Sequence, residues 1–145
     1  MKNLIEWCEN KNLHIIELDK QHQSIADTVN KLYHFLQLPE DPDIEQEIRE
    51  FMAKLINQTE LHFQLEERYM ETSNYPDLKN HKQEHMMLKA ELKNYSRKVI
   101  SGKLKLNKKV LHALRNWLVS HIMCSDMNFA KHYHQIKSDK KINIL

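Results

Sequence analysis

The stretch HFQLEERYM, residues 62–70, sets His62 and Glu66 four positions apart. In a helix that spacing puts both side chains on one face, a single turn apart. Followed backwards, the same face continues through Thr59, Leu55, Phe51, Ile48 and Ile44, a largely apolar row at intervals of three and four. The row predicts a helix over about Asp43–Thr72 with Asp43 as its N-cap. Its inward face turns from apolar to ionisable over the last turns. Burying an imidazole and a carboxylate is costly unless something compensates them.

A second pair lies in HKQEH, residues 81–85, where His81 and His85 share a row with Leu78, Leu88, Leu92, Tyr95 and Val99. That row predicts a helix over Asp77–Ile100. Two more amphipathic segments flank these. Leu18, His22, Ile25, Val29, Leu32 and Leu36 mark one over Glu17–Leu38. Val110, Leu114, Trp117 and His121, with Leu118, Ile122, Asp126 and Phe129 on an adjoining line, mark the other over Asn107–Tyr133. The breakers QLPEDPD (37–43), TSNYPD (72–77) and ISGKLKLN (100–107) fall between segments, and one glycine with three prolines is too little punctuation for a sheet-rich fold. The fold class read from this is all-α. An antiparallel up-down four-helix bundle spans residues 17–137, residues 1–16 form an N-terminal arm packed on it through Leu4, Ile5, Trp7 and Leu13, and 138–145 form a C-terminal tail.

The chain has 145 residues, enough for one core. With 22 basic against 20 acidic residues, the net charge of +2 gives no reason to expect nucleic acid or an anionic membrane as partner. Cys8 and Cys124 do not make a disulfide framework, which points to a reducing compartment. The opening MKNLIEWCEN lacks an apolar stretch of signal-peptide length, and nowhere do 18 apolar residues run together. These features predict a soluble, cytoplasmic protein, and the absence of a coiled-coil seam predicts a monomer.

Alternating helix directions bring His22, His62, Glu66, His81, His85, His121 and Asp126 to one end of the bundle. Five imidazoles with two carboxylates suit a first-row transition metal, whereas oxygen-only ligands suit magnesium or calcium and thiolates suit structural zinc or iron–sulfur sites. Seven candidates exceed the complement of one tetrahedral ion, so the set suggests two ions bridged by the carboxylates. Taken singly, His22 reads equally as a hydrogen-bonded core residue, and an i,i+4 pair as a local contact. Their convergence favours the metal. His14, His34, His112, His132 and His134 read as surface, cap or packing residues. Asp19 either orients His22 or caps a helix, and Cys124 is inert packing or a reactive thiol.

Trp7, DKQH (19–22), HFQLEERYM (62–70), HKQEH (81–85) and WLVSHIMCSD (117–126) together resemble the hemerythrin family, above all its single-domain bacterial members, over about Trp7–Phe129. The resemblance implies a non-haem centre of two iron ions with an oxo or hydroxo bridge, held by the seven residues above. It assigns His81, His85 and His121 to one iron and His22 and His62 to the other, with Glu66 and Asp126 bridging and one exchangeable position on the histidine-poorer iron. The implied function is reversible dioxygen binding for storage, transport or delivery, a binding protein rather than an enzyme, with an oxygen-accepting or redox protein as a further partner. A di-iron redox enzyme (ferroxidase, peroxide or nitric oxide reduction) and an oxygen or redox sensor are the alternatives. Leu118 and Ile122 are expected as walls of an apolar pocket or as ordinary core, with Trp117 packed over the histidines. Two positions depart from the family pattern: His14 stands where a glycine is common, and Phe129 where a tyrosine is frequent.

Overall fold

Each of the four apolar rows forms a helix in the computed structural model, which describes residues 2–140. The helices are α1 (Ile16–Phe35), α2 (Pro42–Thr72), α3 (Leu78–Ile100) and α4 (Lys108–His121). A single π turn (Ile122–Asp126) then leads straight into α5 (Met127–Lys140). The fourth row is therefore one long helical segment with a widened turn inside it. α1 packs against α2 and α4, and α2 also packs against α3 and α5, giving the antiparallel four-helix bundle. Among the described residues no helix is long and apolar enough to cross a membrane.

The boundaries have local causes. Asp41, not Asp43, is the N-cap of α2: its carboxylate accepts from the Asp43 backbone N–H at 2.8 Å, and Pro42 fills the first helical position, where its missing N–H costs nothing. Beyond the last α2 residue, Thr72, Asn74 takes a left-handed φ of 53° while Tyr75 N–H bonds Met70 O at 3.0 Å and Asn74 N–H bonds Glu71 O at 3.2 Å, the Schellman pattern. Asn107 caps α4 by accepting from Val110 N–H at 2.9 Å. α5 runs through residues 138–140, and the rest of the expected tail, 141–145, lies outside the described residues.

Two apolar clusters fill the bundle. The larger gathers Ile25, Val29 and Leu32 of α1, Met52 and Leu55 of α2, Leu92 and Val99 of α3, Leu111 and Leu118 of α4, and Ile122. The smaller, at the other end, holds Leu13, Ile15, Leu18, Tyr69, Met70, Phe129, Ala130 and Tyr133. Fully burying one such side chain stabilises the fold by roughly 1.5–3 kcal/mol. On every helix the ionisable inward residues fall between these clusters, so the polar layer is closed from both ends.

The arm is strapped down by directional bonds as well as by apolar contact. Buried Asn30 accepts from Ile5 N–H at 2.7 Å and donates to Ile5 O at 2.8 Å, while His134 meets Leu13 O at 2.8 Å and Arg115 donates to Leu4 O at 3.3 Å. Asp19 is a cap for this arm: its carboxylate accepts from Leu13 N–H at 2.6 Å. His14, between these anchors, sits at φ 59°. A side chain with a Cβ is strained there, which is the physical reason a glycine suits the position. His14→Gly is expected to stabilise the fold by about 0.5–1 kcal/mol, read as a higher urea midpoint with unchanged helical content.

Candidate metal centre

All seven residues singled out above are brought together, and none is more than 4% exposed. Their ligand atoms fall into two groups, Glu66, His81, His85, His121 and Asp126 in one, and His22, His62, Glu66 and Asp126 in the other, with all atoms of a group within 4.8 Å of one another. The two carboxylates belong to both and divide their oxygens between them. Glu66 turns Oε2 to His62 at 3.3 Å and Oε1 to His81 at 2.9 Å and His85 at 3.1 Å. Asp126 turns Oδ2 to His22 at 3.0 Å and Oδ1 to His81 at 3.1 Å and His121 at 3.0 Å.

The π turn makes this possible. Five residues of α-helix advance about 500°, which would leave Asp126 about 140° around the helix from His121. A π turn closes i to i+5, so residues five apart stack on one face. His121 and Asp126, placed on adjoining lines by the apolar pattern, therefore point into one site. The extra length is taken up at Met123 and Cys124, both turned to solvent. Cys124 accordingly faces away from the cluster.

Partners behind the histidines fix the rings. His62 Nδ1 lies 2.8 Å from Gln21 Oε1, His85 Nδ1 2.8 Å from Glu67 Oε2, and His121 Nδ1 2.6 Å from Glu84 Oε1. Ser125 donates to both Glu84 oxygens at 2.9 Å. With Nδ1 donating outward, each Nε2 lone pair points into the cluster. Phe63 stacks on His85 with centroids 3.8 Å apart and planes 7° apart, Trp117 lies along His121 at 6.0 Å and 15°, and Trp7 of the arm closes on His22 at 6.2 Å. Sequence reasoning placed Trp117 here but missed Gln21, Glu67, Glu84 and Phe63. Glu84 and Glu67 each adjoin a candidate ligand in sequence, a signal that helical charge alone does not distinguish from a solvated face.

Other polar and apolar residues around the site are engaged elsewhere. Tyr69 donates to Glu17 at 2.9 Å, and burial together with that carboxylate pushes its hydroxyl up to about 12. His132 Nε2 meets Ser73 O at 2.8 Å, and with His134 on Leu13 O the KHYH stretch is packing. Leu118 and Ile122 are buried in the larger apolar cluster.

The donor set fits a metal on the structure's own chemistry. His22 Nε2, His62 Nε2, Glu66 Oε2 and both Asp126 oxygens are buried without a hydrogen bond of good geometry, although His22 and Asp126 are close enough for an ion pair. His85 Nε2 and His121 Nε2 face each other at 3.2 Å, an arrangement in which two lone pairs repel unless a proton or cation lies between. Burial opposes charge on His81, but Asp126 and Glu66 outweigh it and hold His81 up to about 10; His121 is held up to about 9 against burial, by Asp126 and then Glu66 and Glu84. Despite burial, His121, His22 and His81 hold Asp126 low, and His62, His81 and His85 hold Glu66 low. At His62 burial, reinforced by the neighbouring His22, outweighs the carboxylates and lowers it. Such a cluster binds cations in exchange for protons.

The comparison with known proteins agrees with this geometry. Residues 13–133 match the family model described as "Hemerythrin HHE cation binding domain". The chain belongs to this family. A bacteriohemerythrin of Methylococcus capsulatus is 33% identical over 104 residues, covering 72% of this chain and 76% of the relative. One from Clostridium acetobutylicum is 26% identical over 124 residues, covering 85% and 96%. Among solved structures, wild-type hemerythrin superposes with a TM-score of 0.81 at 28% identity, covering 90% of this chain and 98% of that one, and a leucine-to-alanine hemerythrin variant gives 0.83 at 27%, covering 91% and 98%.

Two tests follow from the geometry. One alanine inserted between Cys124 and Ser125 turns Asp126 by about 100° and is expected to abolish metal uptake by the folded chain, whereas deleting Met123 returns an i,i+4 pair and is expected to keep it; metal analysis beside circular dichroism reads both. The second concerns pH. Groups whose pKa is raised on folding stabilise fully below their unfolded value of 6.5 and lose that contribution as pH passes the folded values of about 9 and about 10. The metal-stripped protein is therefore expected to show a urea midpoint falling from pH 7 to pH 10, a slope that bound metal removes.

Proposed function

We propose that the chain binds dioxygen reversibly at a non-haem di-iron centre, as a store, carrier or supplier of oxygen. The observation that carries this reading is the division of the Glu66 and Asp126 oxygens between a three-histidine and a two-histidine group. His81, His85 and His121 would hold one iron and His22 and His62 the other, with Glu66 and Asp126 offering an oxygen to each. Held there, a pair of irons would supply the two-electron chemistry that reversible dioxygen binding requires.

The chain's own residues make the exchange reversible. The two-histidine group has one donor fewer, which leaves a position for a small ligand. Apolar residues above and below exclude bulk water and larger reductants. Phe63, Trp7 and Trp117 pin the imidazoles, and Gln21, Glu67 and Glu84 hold their tautomers. All seven ligands come from one chain, so a monomer is complete as a binding unit. The histidine-rich set supports binding rather than oxygen activation, for which di-iron enzymes use more carboxylates.

An anaerobic titration of the reduced, iron-loaded protein with oxygen, followed optically through repeated cycles, tests the reading. Recovery of the starting spectrum at about one oxygen per two irons is the expected result; continued oxygen consumption would assign the centre to a redox enzyme instead. Leu118, one turn before His121 and buried, serves in this reading as a wall. Leu118→Ala removes about three carbon atoms from that wall and is expected to hasten oxygen loss or autoxidation severalfold in stopped-flow traces, leaving the iron count at two.

A further inference from the structure

The two histidine groups differ in what stands behind them. His121 is backed by Glu84, whose oxygens Ser125 pins at 2.9 Å, and His85 by Glu67. Both carboxylates are only partly exposed, with 40% of the Glu84 and 25% of the Glu67 side chain open to solvent. On the other side His62 is backed by the neutral amide of Gln21, and His22 Nδ1 is buried with no hydrogen-bond partner. Glu66 and Asp126 belong to both groups and turn one oxygen to each. Two anionic acceptors therefore act through imidazole on the three-histidine position, and none on the other.

A carboxylate accepting from Nδ1–H makes the imidazole a stronger donor at Nε2 and adds negative charge close to the ion, which favours the higher oxidation state. We propose that Glu84 and Glu67 are positioning residues that set the order of electron transfer in the pair. They make the His81/His85/His121 position the last to accept an electron and the first to give one up, while Gln21 keeps the His22/His62 position easier to reduce. The inference rests on the di-iron reading above. In each reduction step one electron passes from an external mediator to one ferric ion.

The test is mediated potentiometry on the iron-loaded full chain, following the two one-electron steps in the wild type, Glu84→Gln, Glu67→Gln and Gln21→Glu. Each Glu→Gln change is expected to move the second, lower step upward by about tenfold in the one-electron equilibrium, about 59 mV, and to leave the first in place. Gln21→Glu is expected to move the first step downward by a similar amount. Both kinds of change narrow the interval between the steps from opposite sides, which a loss of packing does not do. Wild-type protein without two irons and a paired-iron spectrum would overturn the di-iron reading itself. Two irons with steps that stay put in all three variants, or an upper step that moves in Glu84→Gln, would overturn this inference alone. Iron content is measured in every variant, so that retained occupancy separates tuning from loss of the site.

Discussion

Everything else in this molecule is arranged around two buried carboxylates, each offering one oxygen to one set of histidines and its second oxygen to another. Ionised Glu66 and Asp126 at 0% exposure are untenable alone. The five imidazoles around them are equally untenable as a neutral hydrogen-bonded core, because the inward nitrogens of His22 and His62 have nothing suitable to bond. Cations resolve both deficits at once. That shared requirement ties four helices to a common point and makes the polar layer a cross-link as well as a site.

The fold meets the requirement by layering. Apolar clusters above and below the polar layer keep it dry, and dryness strengthens each electrostatic contact within it. The N-terminal arm closes one flank with Trp7, and its anchors at Asn30, Asp19, Leu13 and Leu4 fix that ring relative to His22. The π turn spends one extra residue to aim Asp126, and the same turn delivers Ser125 to Glu84. A single local irregularity thus serves the inner shell of the site and its outer support together.

Charge is distributed unevenly behind the ligands, and this asymmetry is specific to side chains that look like ordinary surface residues. Glu67 and Glu84 neighbour Glu66 and His85 in the chain, so the helix rotation that buries one residue leaves the next at the rim, within reach of an imidazole on a facing helix. The rim position keeps each carboxylate partly solvated. It can then remain charged without the full cost of burial.

The sequence by itself determined the four helices and the seven inward ionisable residues, because a period of 3.6 and alternating helix directions are properties of spacing alone. The family resemblance marked His14 as standing where a glycine is common, and the left-handed backbone there supplies the reason. Where spacing was ambiguous, tertiary structure decided. Asp41 displaced Asp43 as N-cap because the proline between them takes the first helical position. Asp19 capped the arm rather than His22, since the arm's path lies outside any helical period. The π turn, the stacking of Phe63 on His85, and the choice of Gln21, Glu67 and Glu84 as ring partners arise from how separate helices face one another. No periodicity within a single helix encodes that distance.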